Sequence, residues 1–456
     1  MAAQGLAATN LRLDFHRHGS TTKILSFCDL VPSVGLVTTE PDEHSRLLDH
    51  TQSSEQVSTA HRERRSWVHV SANTFRVIWT TGGSNPLNVL LVFVPFGIVA
   101  GAFAVNPPTV FLLNFLAMIP LASILSFATE ELSDKLGNTL GGLVNASFGN
   151  AVEMIVSIIA LKNNEIQLVQ ASMLGSILSN LLLVLGCCFL AGGIKHHEQF
   201  FNATVASTMS SLLAVASASL IIPATIYDTL TLKPLDRQDT LLTISRGTAV
   251  VLLILYIIYL IFQLKTHSNL FDEENQPEAN DQENAHTLSP WAAGMLIIIV
   301  TVTVAICAHY LIKVIDPFVE TAHISKTFTG LILIPIIGNA AEHTTAVVVA
   351  WKNKMGLAIA VAMGSCLQIA LFVTPGLVVL GWIMDRPLSL HFGMFETVAF
   401  AVSVFVVVLL IQDGKSNYLE GVLCLALYGI IALAFALLPD HPAGVGGGKV
   451  LDNAAV

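Results

Sequence analysis

Charge is scarce in this chain. Asp, Glu, Lys and Arg make up 12% of its 456 residues, hydrophobic residues make up 53%, and the mean hydropathy is +0.68. A soluble globular domain carries about twice that share of charge, so the composition excludes one and points to a polytopic membrane protein. The formal net charge of −10 sits largely in one acidic stretch, which gives no reason to expect a nucleic-acid partner. The six cysteines (Cys28, Cys187, Cys188, Cys307, Cys366, Cys424) show neither a CxxC nor a disulfide-framework spacing and read as small packing residues. No apolar core follows a basic start at the N-terminus, so no cleaved signal peptide is expected. Nor is there a nucleophile–base constellation, so neither an enzyme nor a cofactor is expected. His16-Arg17-His18 and His196-His197 lack Cys or carboxylate partners at ligand spacing.

What is present is a series of long apolar runs. A span needs about 20 apolar residues. Eleven such stretches lie near 87–104, 109–128, 138–161, 166–192, 202–226, 241–264, 290–313, 328–350, 355–382, 393–412 and 418–438. Ahead of them, 1–86 is polar, rich in Ser, Thr and His, and reads as a largely disordered tail. Arg62, Arg64, Arg65 and Arg76 hold that tail in the cytosol under the positive-inside rule, and with eleven crossings the tail at 439–456 is on the far side. A linker at 265–289 carries Asp272, Glu273, Glu274, Glu278, Asp281 and Glu283 and has no Lys or Arg after Lys265. It is either a solvated connector or a low-affinity trap that concentrates a cation at the cytosolic face.

One short motif occurs twice inside the apolar runs. Gly149-Asn150-Ala151-Val152-Glu153 returns as Gly338-Asn339-Ala340-Ala341-Glu342, an offset of 189 residues (149 to 338). The offset holds outside the motif: Glu131 matches Glu320, Gly141 matches Gly330, Gly175-Ser176 matches Gly364-Ser365, and Leu178 matches Leu367. A register kept this long indicates an internal duplication. The fold expected is an all-α polytopic membrane protein of eleven transmembrane helices. One extra helix (87–106) precedes two five-helix repeats (107–264 and 290–438), and five is odd, so the repeats are inverted.

A carboxylate in hydrocarbon costs a few kcal/mol or more, so a duplicated one calls for a function. On a helix, Glu153 shares a face with Asn150 and Gly149, and Ser157 continues it; Glu342, Asn339 and Gly338 repeat the pattern. The glycines let a backbone approach closely or let the helix break. Pro335 frees the carbonyl of Leu331, and Gly141-Gly142 loosens the first repeat at a similar depth. Carbonyl oxygens plus two carboxylates suit a hard cation such as Ca2+. Without the cation, two carboxylates at close quarters in low dielectric cannot both stay ionised, so the empty site takes up protons. Competition for the same oxygens then exchanges one ion for the other.

Further candidates surround this pair. Ser176 and Ser365, and Ser179 and Gln368, occupy matched positions and either offer oxygen or hydrogen-bond a ligating carboxylate, or simply join helices. Glu131 and Glu320 are entrance and exit charges or ordinary solvated residues. His343 follows Glu342 where the first copy has Met154, and either shuttles protons or packs.

The stretches 149–161 (GNAVEMIVSIIAL), 322–354 (AHISKTFTGLILIPIIGNAAEHTTAVVVAWKNK), 175–180 and 413–421 (DGKSNYLEG) resemble the calcium/proton exchanger family, most closely the vacuolar exchangers of fungi. The resemblance covers roughly 85–440. It implies Ca2+ and proton binding at Glu153 and Glu342, a vacuolar membrane whose lumen is acidified by a proton pump, and a role for the acidic linker in cytosolic Ca2+ capture or regulation. Some members of that family also carry Mn2+. The reading is thus a secondary antiporter of cytosolic Ca2+ and luminal H+. Two alternatives are weighed beside it. A Na+-coupled calcium exchanger would show Ser/Thr-rich motifs with Pro-Glu at the site, where this chain has Gly-Asn-Ala. A passive cation channel would need a filter-like loop, which is not visible.

Overall fold

Apolar runs of this length leave the backbone one way to satisfy its hydrogen bonds in hydrocarbon, the α-helix. The computed structural model describes residues 86–229, 234–268, 270 and 288–438, all within one unit, Trp67–Val456. The acidic residues Asp272, Glu273, Glu274, Glu278, Asp281 and Glu283, the tail 1–85 and the segment 439–456 lie outside the described residues.

Eight described helices are long and apolar enough to cross a membrane: Pro107–Gly137, Ile166–His196, Ala203–Ile226, Asp236–Thr266, Pro290–Lys313, Lys326–Trp351, Met355–Ile383 and Tyr418–Leu437. A bent pair, Leu140–Phe148 and Ala151–Lys162, makes a ninth if taken as one span. The expected stretches 87–104 and 393–412 hold shorter apolar helices, Leu87–Ala102 and Met394–Leu410. The expectation of an all-α chain needs one small correction. Glu198–Phe200 and Lys415–Asn417 pair as two antiparallel strands, with Gln199 opposite Ser416.

Local signals fix several helix ends. Ser289 caps the helix behind it by accepting the Ala292 N–H at 3.3 Å, with Pro290 at the first helical position. Asn417 accepts from Leu419 and Glu420 N–H, and the Glu420 carboxylate returns to the Asn417 N–H, closing a capping box. The helices Ile166–His196 and Met355–Ile383 form the interior; small residues such as Ala171, Gly175 and Ser176 let neighbours approach. The Leu331 carbonyl lies against Gly175, where any side chain would collide with it.

Features recur at the offset of 189 residues. Asn164 and Asn353 both take a left-handed backbone (φ 63° and 64°) one residue before the cap of the next helix. Those next helices carry π turns at Ser179–Val184 and Ile369–Val373. The carbonyl of Lys162 accepts from the Arg386 guanidinium at 3.1 Å, and that of the matched Trp351 accepts from Lys195 Nζ at 3.0 Å. Connectivity then separates two faces: Lys162, Glu165, Lys326 and Arg386 at one, and Gly137, Lys195, Trp351 and the two-stranded sheet at the other.

Candidate functional site

The two motif copies fold differently. In the first, the helix stops at Phe148 and restarts at Ala151, with a 43° bend. Glu153 therefore stands in the first turn of a new helix, where free N–H groups favour an anion. The expectation that Gly149, Asn150 and Glu153 share one helical face fails here, because Gly149 and Asn150 form the break. Nor do Gly141-Gly142 supply the loosening: the other interruption lies at Gly137, which has a left-handed φ of 76°. In the second copy the helix Ile334–Trp351 runs on through Gly338, Asn339 and Glu342, and its irregularity is a π turn earlier, at Thr329–Leu333.

Glu153 and Glu342 line one recess, together with Ala122, Leu125, Ser126, Phe148, Gly149, Val152, Gly338 and Ala341. Glu153 is buried, and its carboxylate occupies the space a side chain at Gly338 would need. The two asparagines make matched contacts across the halves. Asn150 Oδ1 accepts from Ser365 Oγ at 3.1 Å, and Asn339 Nδ2 donates to the Ser176 carbonyl at 3.2 Å. Asn180 Nδ2 reaches both Ser365 Oγ (2.9 Å) and Glu342 Oε2 (3.2 Å), so one chain of polar groups runs from Glu342 to Asn150. Such a network in a buried setting fixes geometry, because each unmade bond costs about 1–3 kcal/mol. Asn150 Nδ2, Asn180 Oδ1, Asn339 Oδ1 and Ser157 Oγ are buried without a hydrogen-bond partner and leave unused polar capacity. Among the described residues no group of three or more His, Cys, Asp or Glu could hold a metal ion, so two carboxylates and neutral oxygens are the donors on offer.

The family model described as sodium/calcium exchanger protein matches residues 106–265 and 292–437, the two stretches that carry the motif copies. The chain belongs to the sodium/calcium exchanger protein family. Among members of the family, a vacuolar calcium ion transporter of Schizosaccharomyces pombe is 51% identical over 357 residues, covering 78% of this chain and 86% of that protein. A Ca2+/H+ antiporter of Aphanothece halophytica is 43% identical over 363 residues, covering 77% and 96%. The solved structure of native YfkE superposes with a TM-score of 0.66 at 34% identity, over 77% of this chain and 100% of that one. The resemblance to calcium/proton exchangers drawn from the motifs is borne out.

The other expected residues are placed as follows in this family member. Ser176, Ser179 and Ser365 are buried beside the acids' helices. Gln368 Nε2 donates to the Ala146 carbonyl, which the bend at Asn150 deprives of its helical partner, and Tyr256 OH adds a longer bond at 3.4 Å. Gln368 thus braces the break, the helix-joining alternative weighed for its matched position, although the carbonyl it serves was not foreseen. His343 is half-buried and is not among the recess-lining residues. The Leu331 carbonyl, expected as a ligand, packs on Gly175 and does not line the recess either. Glu131 accepts the Leu288 N–H at 3.0 Å, whereas Glu320 is exposed on the short helix Ile315–Ala322. Sequence reasoning missed Glu130. Its carboxylate accepts from Ser126 Oγ at 3.4 Å, so this exposed acid stands one turn outside the recess. The signal was the four-residue spacing from Ser126, which means nothing until Ser126 is known to line the site.

Proposed function

We propose that the protein is a secondary antiporter that moves cytosolic Ca2+ into an acidic lumen in exchange for H+, with Glu153 and Glu342 as the shared binding groups. The observation that carries this reading is the convergence of the two duplicated acids, from separate halves of the chain, on one recess. Names borne by relatives support the ions and the compartment: a vacuolar calcium ion transporter, Ca2+/H+ antiporters and vacuolar cation/proton exchangers. A vacuolar membrane with an adjoining proton pump fits them. The N-terminus is cytosolic and the C-terminus luminal on the basis of Arg62, Arg64, Arg65 and Arg76.

The chemistry follows from charge balance. Ca2+ seeks six to eight oxygens, and two carboxylates cancel its charge. Asn150, Asn339 and waters supply neutral oxygens beside them; Asn180 and Ser365 orient Glu342 and Asn150. When Ca2+ leaves, the paired carboxylates in low dielectric bind protons, since a doubly charged empty site is too costly to keep or to move. Excess protons at the acidic face displace Ca2+, and Ca2+ at the cytosolic face displaces protons. Features recurring at an offset of 189 residues support two inverted repeats, the plan in which two halves rock about a central site. Mn2+, also a divalent ion that accepts carboxylate oxygen, is a secondary substrate.

The test is Ca2+ flux into sealed proteoliposomes under an imposed pH gradient, with and without Na+. A pH jump alone drives uptake, and replacing Na+ with choline leaves it unchanged. Uptake that needs a sodium gradient and ignores pH would establish the Na+-coupled alternative instead, and single-channel currents would establish a pore.

A further inference from the structure

Contacts at the two faces of the molecule are of two kinds. The carbonyls of Lys162 and Trp351, at matched positions, are each capped by a distant basic side chain, Arg386 and Lys195, one per face. These caps join helices that carry the site or directly support it. Lys326 does something else. Its Nζ lies 2.8 Å from Glu165 Oε2 and 2.5 Å from Asp316 Oδ1. Glu165 precedes the helix Ile166–His196, and Lys326 opens the helix that holds Glu342, so both belong to the site-bearing helices. Asp316 belongs to the short helix Ile315–Ala322, which continues from Pro290–Lys313.

That connection matters because Pro290–Lys313 packs along the helix that starts at Pro107, whose Ala122, Leu125 and Ser126 cover the recess. The short helix is fastened to this cover by a stack of Phe318 on Phe111, with ring centres 3.7 Å apart. Lys326 therefore ties the covering pair to the site-bearing helices. The matched positions of the other half do not repeat this pairing: those for Glu165, Asp316 and Lys326 are Lys354, Phe127 and Gly137. The exposed acid nearest the recess, Glu130, stands toward the opposite face.

We propose that Lys326 is a positioning residue of the transport cycle: its pairs with Asp316 and Glu165 hold the covering helices shut at the Lys162 face, so that the resting protein presents its site toward Glu130. This rests on the alternating-access reading above. Two related halves would otherwise open to either side with similar ease, and a pairing that the matched positions do not repeat breaks that balance. The Lys326 and Glu165 side chains are 21% and 18% exposed, so that pair is enclosed and holds the lysine in place, while Asp316 at 59% exposed makes the contact to the cover a weaker, releasable one.

The experiment measures Ca2+ KM and maximal rate separately from each side, in vesicles of both orientations, for wild type, Asp316→Asn, Lys326→Met and Lys326→Arg. Asp316→Asn and Lys326→Met raise KM from the Glu130 side about 3- to 10-fold and lower it from the Lys162 side, because apparent affinity scales with the fraction of protein open to that side. Lys326→Arg keeps the wild-type ratio. Arg386→Met, which breaks a cap within the site-bearing helices, lowers stability and leaves the ratio unchanged. Asp316 is 59% exposed, so its variant tests the latch even where Lys326→Met fails to insert. A ratio unmoved by Asp316→Asn, or a fall in rate equal from both sides, overturns the latch. Wild type that takes up no Ca2+ on a pH jump overturns the antiport reading itself, a separate outcome.

Discussion

Two stretches with nearly the same sequence, Gly149–Glu153 and Gly338–Glu342, adopt different backbones around the same recess. The first breaks its helix and places Glu153 at the start of a new one. The second keeps its helix, and Gly338 makes room for the Glu153 carboxylate. One glycine sits where the chain changes direction; the other is needed for its missing side chain. A duplicated motif therefore does not imply a duplicated conformation. The two halves need only deliver their acids to one place, and the partner half decides how each does so.

Four substitutions test that asymmetry. The largest effect belongs to the acids. Glu153→Gln and Glu342→Gln each lower pH-driven Ca2+ uptake by more than about 100-fold, beyond the ~10–100-fold typical of residues that only support a ligand. Normal insertion, checked by surface labelling, accompanies the loss; full transport by either variant would remove that acid from the site. Next is the glycine pair. Gly338→Ala puts a methyl group into the Glu153 carboxylate, an overpacking of about 1–3 kcal/mol, and weakens Ca2+ uptake at low Ca2+ about tenfold. Gly149→Ala meets the Asn145 carbonyl and the Gln368 amide; at its helical φ of −53° it weakens uptake less than Gly338→Ala. The reverse order would mean that the break, rather than the close approach, is the stricter requirement.

A smaller loss is expected at Gln368→Leu. It removes the amide that satisfies the Ala146 carbonyl at the break and lowers stability in detergent by about 1–3 kcal/mol, read as a fall in melting temperature. The smallest effects fall on the matched left-handed asparagines. Asn164→Ala and Asn353→Ala each cost about 1 kcal/mol for the backbone alone. Asn353 costs more, since its Oδ1 also accepts from Gln199 Nε2 at 2.9 Å. Equal losses would show that this bond adds nothing.

The acids were legible because repetition turns an expensive residue into a signal: one buried carboxylate is an accident of packing, whereas two in the same words predicted a meeting point, and both line one recess. The matched serines and asparagines were legible for the same reason, although not their partners. Asn150 meets Ser365 and Asn339 meets Ser176, contacts between residues 215 and 163 positions apart. Glu130 was not legible, because Glu131 beside it is equally acidic and only the turn of the helix distinguishes them. For Gln368 the sequence left open a ligand, a partner of a ligating carboxylate or a link between helices; the orphaned Ala146 carbonyl decides for the link.

Composition and the 189-residue register, by themselves, determined that this is a helical membrane protein with a twice-occurring acidic motif, because both signals depend on local chemistry and on repetition. Where the first helix breaks, which acid stands outside the recess, and why one face carries the Lys326 ion pairs were decided by tertiary structure alone. Those outcomes depend on which distant group satisfies a freed carbonyl or a buried charge, and the order of residues along the chain does not say which groups will meet.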